Sequence, residues 1–192
     1  MNAPTILAFA GSTRVGSYNK QLARAAAASA KAAGADVTLI DLRDFPLPLF
    51  DADLEAAEAL PPHARRLKAL FLAHQGFLIA SPEYNSSITG VLKNTIDWVS
   101  RPSGNEPELA AFTGKVAGLL SASPGALGGL RGLVTLRSIL GNIGVLVLPE
   151  QVAVPKAHEA FQPDGTLADP QRHAALDRLT KRLLTVLAKL HP

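Results

Sequence analysis

Short apolar runs alternate with longer amphipathic stretches along this chain. Continuous apolar runs bounded by glycine or proline are typical of strands that are buried on both faces. Five such runs predict strands over Thr5–Ala10, Asp36–Leu42, Gly76–Ala80, Lys115–Leu120 and Gly144–Leu148. The stretches between and after them predict helices over Tyr18–Ala33, His63–His74, Ser87–Val99, Gly128–Asn142 and Gln171–Leu190. Two prolines in Arg43–Asp53 predict that this segment has no regular element.

The alternation of strands and helices predicts right-handed crossover connections, and therefore a parallel sheet. The expected fold is α/β: a doubly wound, five-stranded parallel sheet of the flavodoxin-like order 2-1-3-4-5, with helices on both faces. Neither a repeat nor a linker divides the sequence, so we expect a single domain over residues 1–192.

The composition narrows the possible functions. The chain has no cysteine, which excludes a thiolate nucleophile and cysteine-held zinc or iron–sulfur sites. None of the five histidines is paired with another at a metal-binding spacing, so we predict no metal site. A net charge of only +3 and an aromatic content of 5% argue against a nucleic-acid partner. No apolar run is long enough to span a bilayer, and we expect a cytoplasmic protein without a membrane partner.

The loop after the first predicted strand has the composition of a phosphate-binding loop. Segment Gly11–Asn19 (GSTRVGSYN) combines glycines, hydroxyls, an arginine and the start of a helix. The dinucleotide fingerprint G-x-G-x-x-G fails at Thr13, and the P-loop pattern fails at Ser17 and Tyr18, where it requires lysine and a Mg²⁺-binding hydroxyl. The loop therefore predicts a site for a terminal phosphate, which Arg14 can bind through two hydrogen bonds. The alternative is a helix start that carries only a surface arginine.

A second motif, PEYNSSITGVLKNTIDWVSR over residues 82–101, follows the third predicted strand. The first loop and this motif match G-S-x-R-x-x-S-x-N and P-E-Y-N-x-S-x-x-G-x-L-K-N-x-x-D-W-x-S-R at every specified position. In these motifs the chain resembles the NADPH-dependent FMN reductases, the flavodoxin-like group that includes NAD(P)H:quinone, chromate and azo-dye reductases. A third segment, SASPGALGGLR over residues 121–131, resembles the glycine-rich turn of that family. The resemblance extends over about residues 5–148.

The resemblance implies FMN as cofactor and NADPH or NADH as co-substrate. It assigns the phosphate and ribityl chain of FMN to Ser12, Arg14, Ser17, Tyr18 and Asn19. It assigns the isoalloxazine ring to Pro82, Glu83, Tyr84 and Asn85, with the backbone of Ser121, Ala122 and Ser123 closing the other side. Many relatives have a hydroxyl residue in place of Ala122, so only a backbone role is expected there. We predict no catalytic side chain, because hydride transfer requires no acid, base or nucleophile from the protein.

The implied activity is a ping-pong, two-electron reduction of a small acceptor by NAD(P)H. Quinones, chromate, azo dyes and free flavin all remain candidate acceptors. The alternative is a flavodoxin-type electron carrier, but such carriers tend to be acidic and this chain has an isoelectric point near 9.4. In the family, the helix predicted over Ser87–Val99 and the loop after it contact a second subunit, so a homodimer or homotetramer is expected.

Three further side chains carry expectations of their own. Trp98 is expected to serve in helix packing rather than in contacts with the cofactor. Asp97 and Arg101 lie four residues apart and can form an ion pair on their helix. Arg131 is expected either to meet the phosphate of NADPH or to cap its own loop.

Overall fold

A computed structural model of the chain describes residues 3–191. Five parallel strands form one sheet in the order β2-β1-β3-β4-β5. The strands are β1 (Thr5–Ala10), β2 (Asp36–Ile40), β3 (Gly76–Ala80), β4 (Val116–Ala122) and β5 (Leu146–Val154). The α-helices are α1 (Tyr18–Ala32), α2 (Ala52–Glu58), α3 (Pro62–Ala73), α4 (Gly90–Ser100), α5 (Leu130–Asn142) and α6 (Pro170–Leu190). The predicted fold class and strand order are confirmed.

Each face of the sheet is covered by its own apolar layer. Alternate residues of β1 point to opposite faces, so Ile6 and Ala8 join one layer while Leu7 and Phe9 join the other. Helices α1 and α6 complete the first layer, and helices α3, α4 and α5 complete the second. Within residues 3–191, no helix combines the length and the apolarity needed to cross a membrane.

The carboxyl ends of β1, β3 and β4 lie side by side at one edge of the sheet. Ala10 pairs with Ala80, and the pairing continues one step into the loops, where the Gly11 N–H donates to the Ala80 carbonyl at 2.9 Å. The Ser81 N–H likewise donates to the Leu120 carbonyl at 2.8 Å. The three motif-bearing loops therefore begin next to one another.

Strand β5 extends further than the sequence predicted. It continues from Leu146 through Pro149 to Val154, because a bulge accommodates the proline. Val147 pairs with Ala117 and Gln151 with Leu119, so three residues of β5 stand opposite the single residue of β4 between them. The prediction that this strand ends at Leu148 was wrong.

The segment after β2 is also more regular than predicted. A 3₁₀ turn covers Leu42–Asp44, and α2 begins at Ala52. Asp51 caps α2 by accepting a hydrogen bond from the Asp53 N–H at 2.8 Å. The prediction of no regular element over Arg43–Asp53 was therefore wrong at both ends of that segment.

The expected ion pair between Asp97 and Arg101 does not form. Lys93 pairs with Asp97 at 2.6 Å, whereas the Arg101 Nε donates to Glu55 of α2 at 2.8 Å. Arg101 is the C-cap residue of α4, and its backbone is extended (ψ 138°) rather than helical. Its side chain therefore points toward α2 and not along the helix toward Asp97.

Trp98 is fully buried inside the subunit, which confirms a role in packing. Its Nε1–H donates to the Pro48 carbonyl at 2.8 Å. Asn94, one turn earlier, donates to the same carbonyl and accepts from the Phe50 N–H, both at 2.8 Å. Helix α4 thus holds the proline segment and leaves Leu49, between those two anchor points, 82% exposed.

Candidate functional site

A cleft of about 380 Å³ opens where the loops after β1, β3 and β4 meet. Most of the site residues predicted from the sequence line it. The lining residues are Ser12, Arg14, Ser17, Tyr18, Asn19, Pro82, Glu83, Tyr84, Ala122, Ser123 and Pro124. Pro124 was not predicted, although it lies inside the glycine-rich segment that carried the resemblance. The three motifs therefore converge on one place, as parallel pairing requires.

The first loop offers donors to an anion in this cleft. Ser17 begins α1 without a side-chain cap, and the first turn of α1 has no acidic residue. The start of a helix carries free N–H groups and a partial positive charge, which favour a phosphate. Arg14 is exposed, and its guanidinium carbon lies 5.4 Å from the centre of the Tyr18 ring. The Ser12 hydroxyl accepts from the Arg14 N–H at 3.3 Å, which shapes the turn.

Asn19 connects the first loop to the end of β4. Its Nδ2 donates to the Ala122 carbonyl at 2.8 Å, and its Oδ1 accepts from the Ala122 N–H at 2.9 Å. Asn19 is buried, so this reciprocal pair acts like a further step of backbone pairing between two segments far apart in sequence. The amide predicted to bind the cofactor therefore holds the cleft together, and the Ala122 backbone is its partner.

Ala122 and Ser123, at and just after the end of β4, line one side of the cleft. The Ser123 N–H donates to the Val154 carbonyl at 3.0 Å. Ser121 does not line the cleft: it is fully buried, and its Oγ has no hydrogen-bond partner within the described part of the chain. Ala122 and Ser123 thus lie at the cleft, but their N–H groups are engaged by Asn19 and Val154, so the backbone contact expected there stays a prediction.

The glycine-rich turn after β4 is held close to its neighbours. Gly128 and Gly129 both have positive φ, at 62° and 86°. A Cβ on Gly129 would stand 1.9 Å from the Ser121 Oγ, and one on Gly128 would stand 2.7 Å from the backbone of Val154. Only glycine fits at these two positions, because both the backbone conformation and the close approach exclude a side chain.

The loop after β3 is the most exposed wall of the cleft. Pro82 is buried, whereas Tyr84 is 59% exposed. The backbones of Tyr84 and Ser87 exchange hydrogen bonds of 2.9 and 3.0 Å, and the two residues between them have φ values of 52° and 63°. Asn85, one of these two, lines an adjoining cavity of about 420 Å³ together with the glycine-rich turn.

Glu83 and Arg131 form an ion pair between the cleft and this adjoining cavity. The Arg131 Nη2 lies 2.7 Å from the Glu83 Oε1, and the same carboxylate accepts from the Arg131 N–H at 3.1 Å. The Arg131 side chain thus pairs with the loop after β3 and does not cap its own loop, so the capping alternative does not hold. The Glu83 carboxylate is therefore already bound by groups of the protein itself.

The arrangement fits FMN. A terminal phosphate requires several donors close together, and Arg14, Ser12, Ser17 and the uncapped start of α1 line the same cleft. A flat ring requires two walls, which the loops after β3 and β4 provide. Within residues 3–191, no group of three or more metal-ligating side chains is assembled.

Comparisons with known proteins agree with this geometry. The family model of the NADPH-dependent FMN reductases matches residues 4–159. An NAD(P)H-dependent FMN reductase of Pseudomonas aeruginosa is 36% identical over 93% of this chain and 92% of its own length. A probable NADPH:quinone oxidoreductase of Oryza sativa subsp. japonica is 35% identical over 86% of this chain and 80% of its own length. The structure of a flavoenzyme NAD(P)H:(acceptor) oxidoreductase from Paracoccus denitrificans superposes with a TM-score of 0.82 at 28% identity, covering 97% of this chain and 98% of that one.

Replacing Ser121 by alanine should not destabilise the protein. The substitution removes a buried hydroxyl that has no partner, so the free energy of unfolding should stay equal or rise by about 1 kcal/mol. Thermal unfolding of the variant measures this, with the partly exposed Ser123→Ala as the control. A melting temperature several degrees lower would show that the Ser121 hydroxyl has a partner in solution.

Proposed function

The chain belongs to the family of NADPH-dependent FMN reductases, and we propose that its cleft holds FMN and passes two electrons from NAD(P)H to a small acceptor. The acceptor class that the named relatives favour is a quinone. FMN, when bound, accepts a hydride from the nicotinamide and returns two electrons to the acceptor. One such site per chain agrees with the expectation of a single domain over residues 1–192.

One observation supports the assignment of FMN binding to specific residues. Anion donors from the first loop and the two walls from the loops after β3 and β4 line the same cleft, although they come from three separate segments of the sequence. Arg14, Ser12, Ser17 and Tyr18 bind the phosphate end of FMN in this proposal. Pro82, Tyr84, Asn85 and the backbone of Glu83 bind the ring, and the backbone at Ser121, Ala122 and Ser123 supports the opposite wall.

The contribution of the protein to the reaction is binding and alignment. Arg14 neutralises the phosphate, and its position over the Tyr18 ring holds the guanidinium near the start of α1. Asn19 fixes the distance between the first loop and β4. Hydride transfer depends on the alignment of the nicotinamide and flavin rings, so rigid loops around the cleft would contribute by holding the flavin in a fixed position.

The same site supports enzymatic turnover over a carrier role. The relatives matched along most of the chain are named as reductases. Steady NADPH oxidation in the presence of a quinone distinguishes the two functions, since a carrier shows almost no oxidation without a partner reductase. NADH in parallel assays decides between the two co-substrates. The use of NAD(P)H also supports the proposal of a cytoplasmic location.

The purified protein should be yellow and hold one FMN per chain. A terminal phosphate site without a dinucleotide fingerprint is the reason to expect the mononucleotide. Release of the flavin by heat and its identification by chromatography measure both the ratio and the species. FAD in place of FMN, or a protein that oxidises no NAD(P)H with any quinone, would overturn the proposed function.

Arg14→Ala should weaken FMN binding by tens of times to a hundred times. The substitution removes a charge-assisted phosphate contact that contributes about 2–3 kcal/mol. Folding should persist because Arg14 is exposed. Titration of the apoprotein with FMN, followed by quenching of flavin fluorescence, gives the dissociation constant. The control is Arg65→Ala, at an exposed arginine of α3 outside the cleft. Equal FMN affinities of the two variants would show that Arg14 does not bind the phosphate and is only a surface arginine at the start of a helix.

We propose further that the protein is a homodimer with two-fold symmetry. Leu49, 82% exposed, projects from the proline segment that α4 holds, and a cavity of about 290 Å³ lies beside it. This cavity is lined by Thr13, Leu42, Arg43, Phe45, Pro46, Leu47, Val91, Asn94 and Thr95. Across a two-fold axis the same patch meets its own copy, so the exposed Leu49 of each subunit would face the cavity region of the other in this proposal. The cavity reaches Thr13 of the first loop, so a second subunit seated there borders the FMN site.

A second apolar surface supports pairing of dimers into a tetramer. Leu127, Leu130 and Val134 are 53%, 38% and 65% exposed. Leu130 and Val134 lie four residues apart on one face of the start of α5, and Leu127 lies in the turn just before the helix. Trp98 contributes to neither surface because it is buried within its own subunit.

Leu49→Asp should shift the protein toward monomers of 20.1 kDa. A charge placed in a desolvated contact is strongly unfavourable, whereas Leu190→Asp, at an exposed position near the end of the chain, should leave the assembly unchanged. Sedimentation at low micromolar protein measures the mass, and NADPH oxidation is followed on dilution. A wild-type monomer with full activity would show that a second subunit is not needed for the site.

A further inference from the structure

The first turn of α5 is capped by a side chain from another loop of the cleft. Its N-cap residue, Gly129, has no side chain that could accept a hydrogen bond. The carboxylate of Glu83 takes that place, accepting from the N–H groups of Arg131 at 3.1 Å and Gly132 at 3.3 Å. It also accepts from the Arg131 Nε at 2.8 Å.

This contact fixes the base of the loop that forms the exposed wall of the site. Glu83 immediately precedes Tyr84, the first residue of the closed turn over residues 84–87. The Glu83 side chain is only 9% exposed, so its charge is balanced by the guanidinium and the positive end of α5 rather than by water.

The end of the same turn also approaches α5. A Cβ on Gly132 would lie 3.1 Å from the Ser87 carbonyl oxygen and 3.3 Å from the Glu83 Cβ. Asn85 and Ser86 adopt left-handed backbone conformations, which the surrounding contacts must maintain because side-chain-bearing residues rarely adopt them unaided. Helix α5 therefore lies close to both ends of the turn, at Glu83 before it and at Ser87 where it closes.

We infer that Glu83 is a positioning residue: its carboxylate clamps the ring-binding loop to the N-terminus of α5 and makes no contact of its own with the cofactor. The acceptor sites of the carboxylate are filled by the helix start and by Arg131, so the contribution of Glu83 to the cleft is its backbone and the placement of residues 84–87. Only the measurement of FMN binding rests on the proposed function; the measurement of loop mobility does not.

Two variants of Glu83 and one matched control test the clamp. Glu83→Ala removes the cap and the charge, whereas Glu83→Gln keeps one oxygen acceptor for the helix N–H groups. Glu55→Gln weakens a comparable carboxylate–arginine pair, at 2.8 Å to Arg101, on α2 outside the cleft. The measurements are amide hydrogen exchange of residues 84–87 in the apoproteins and the FMN dissociation constant from fluorescence titration.

We expect amide exchange in residues 84–87 to accelerate about tenfold or more in Glu83→Ala, and FMN binding to weaken by a similar factor. Glu83→Gln should give an intermediate result in both, and Glu55→Gln should leave both at the wild-type value. Unchanged exchange at residues 84–87 in Glu83→Ala would overturn the inference. So would an equal loss of FMN affinity in Glu55→Gln, because the effect would then reflect general stability.

Two further outcomes remain decisive. If Glu83→Ala does not fold, Arg131→Ala leaves the helix cap in place and removes the ion pair, and it should still accelerate exchange at residues 84–87 by a few times. No acceleration in that variant would overturn the clamp. If the wild-type apoprotein binds no FMN, the proposed function fails, but the exchange measurements still decide whether Glu83 positions the loop.

Discussion

Parallel pairing of the strands is the constraint on which the cleft depends. A parallel strand must be followed by a crossover, so every strand-to-helix loop forms at the same edge of the sheet. β1, β3 and β4 are adjacent in the sheet order, and the pairing continues past their ends through Gly11 and Ser81. Three segments that are distant in sequence are thereby brought to one edge before any polar side chain contributes.

Polar side chains then join the loops in pairs. The Thr89 hydroxyl donates to the Gly11 carbonyl at 2.7 Å, which ties the start of α4 to the first loop. Asn19 ties the first loop to Ala122, and Glu83 ties the loop after β3 to the start of α5. Each contact spans two segments, so the walls of the cleft are set relative to one another without a ligand. Preorganisation of this kind lowers the entropic cost of binding.

The sequence predicted what depends on local apolar pattern and on motif position. β1 and β3 have the predicted bounds because they are short apolar runs buried in the centre of the sheet. β5 was predicted too short, since a proline tolerated by a bulge cannot be distinguished locally from one that ends a strand. α2 was missed because it has no buried face of its own, and the Glu55 contact that holds it comes from Arg101, far along the chain. The motifs indicated which residues surround the cleft, but not which polar groups face a ligand: that depends on pairings such as Asn19 with Ala122.

The division of the motif residues into two roles bears on the chemistry. Asn19 and Glu83 are engaged by the protein, and the groups left for a ligand at the cleft are chiefly Arg14, the hydroxyls of the first loop and the start of α1. Such groups bind and orient an anionic cofactor, and a hydride transfer needs from the protein little beyond that alignment. In the proposed function, specific contacts are thus concentrated at the phosphate end, while the ring end is bordered by the exposed Tyr84. A site of this kind would recognise its cofactor through the phosphate and impose few shape requirements on the acceptor, because the ring end carries few fixed polar contacts.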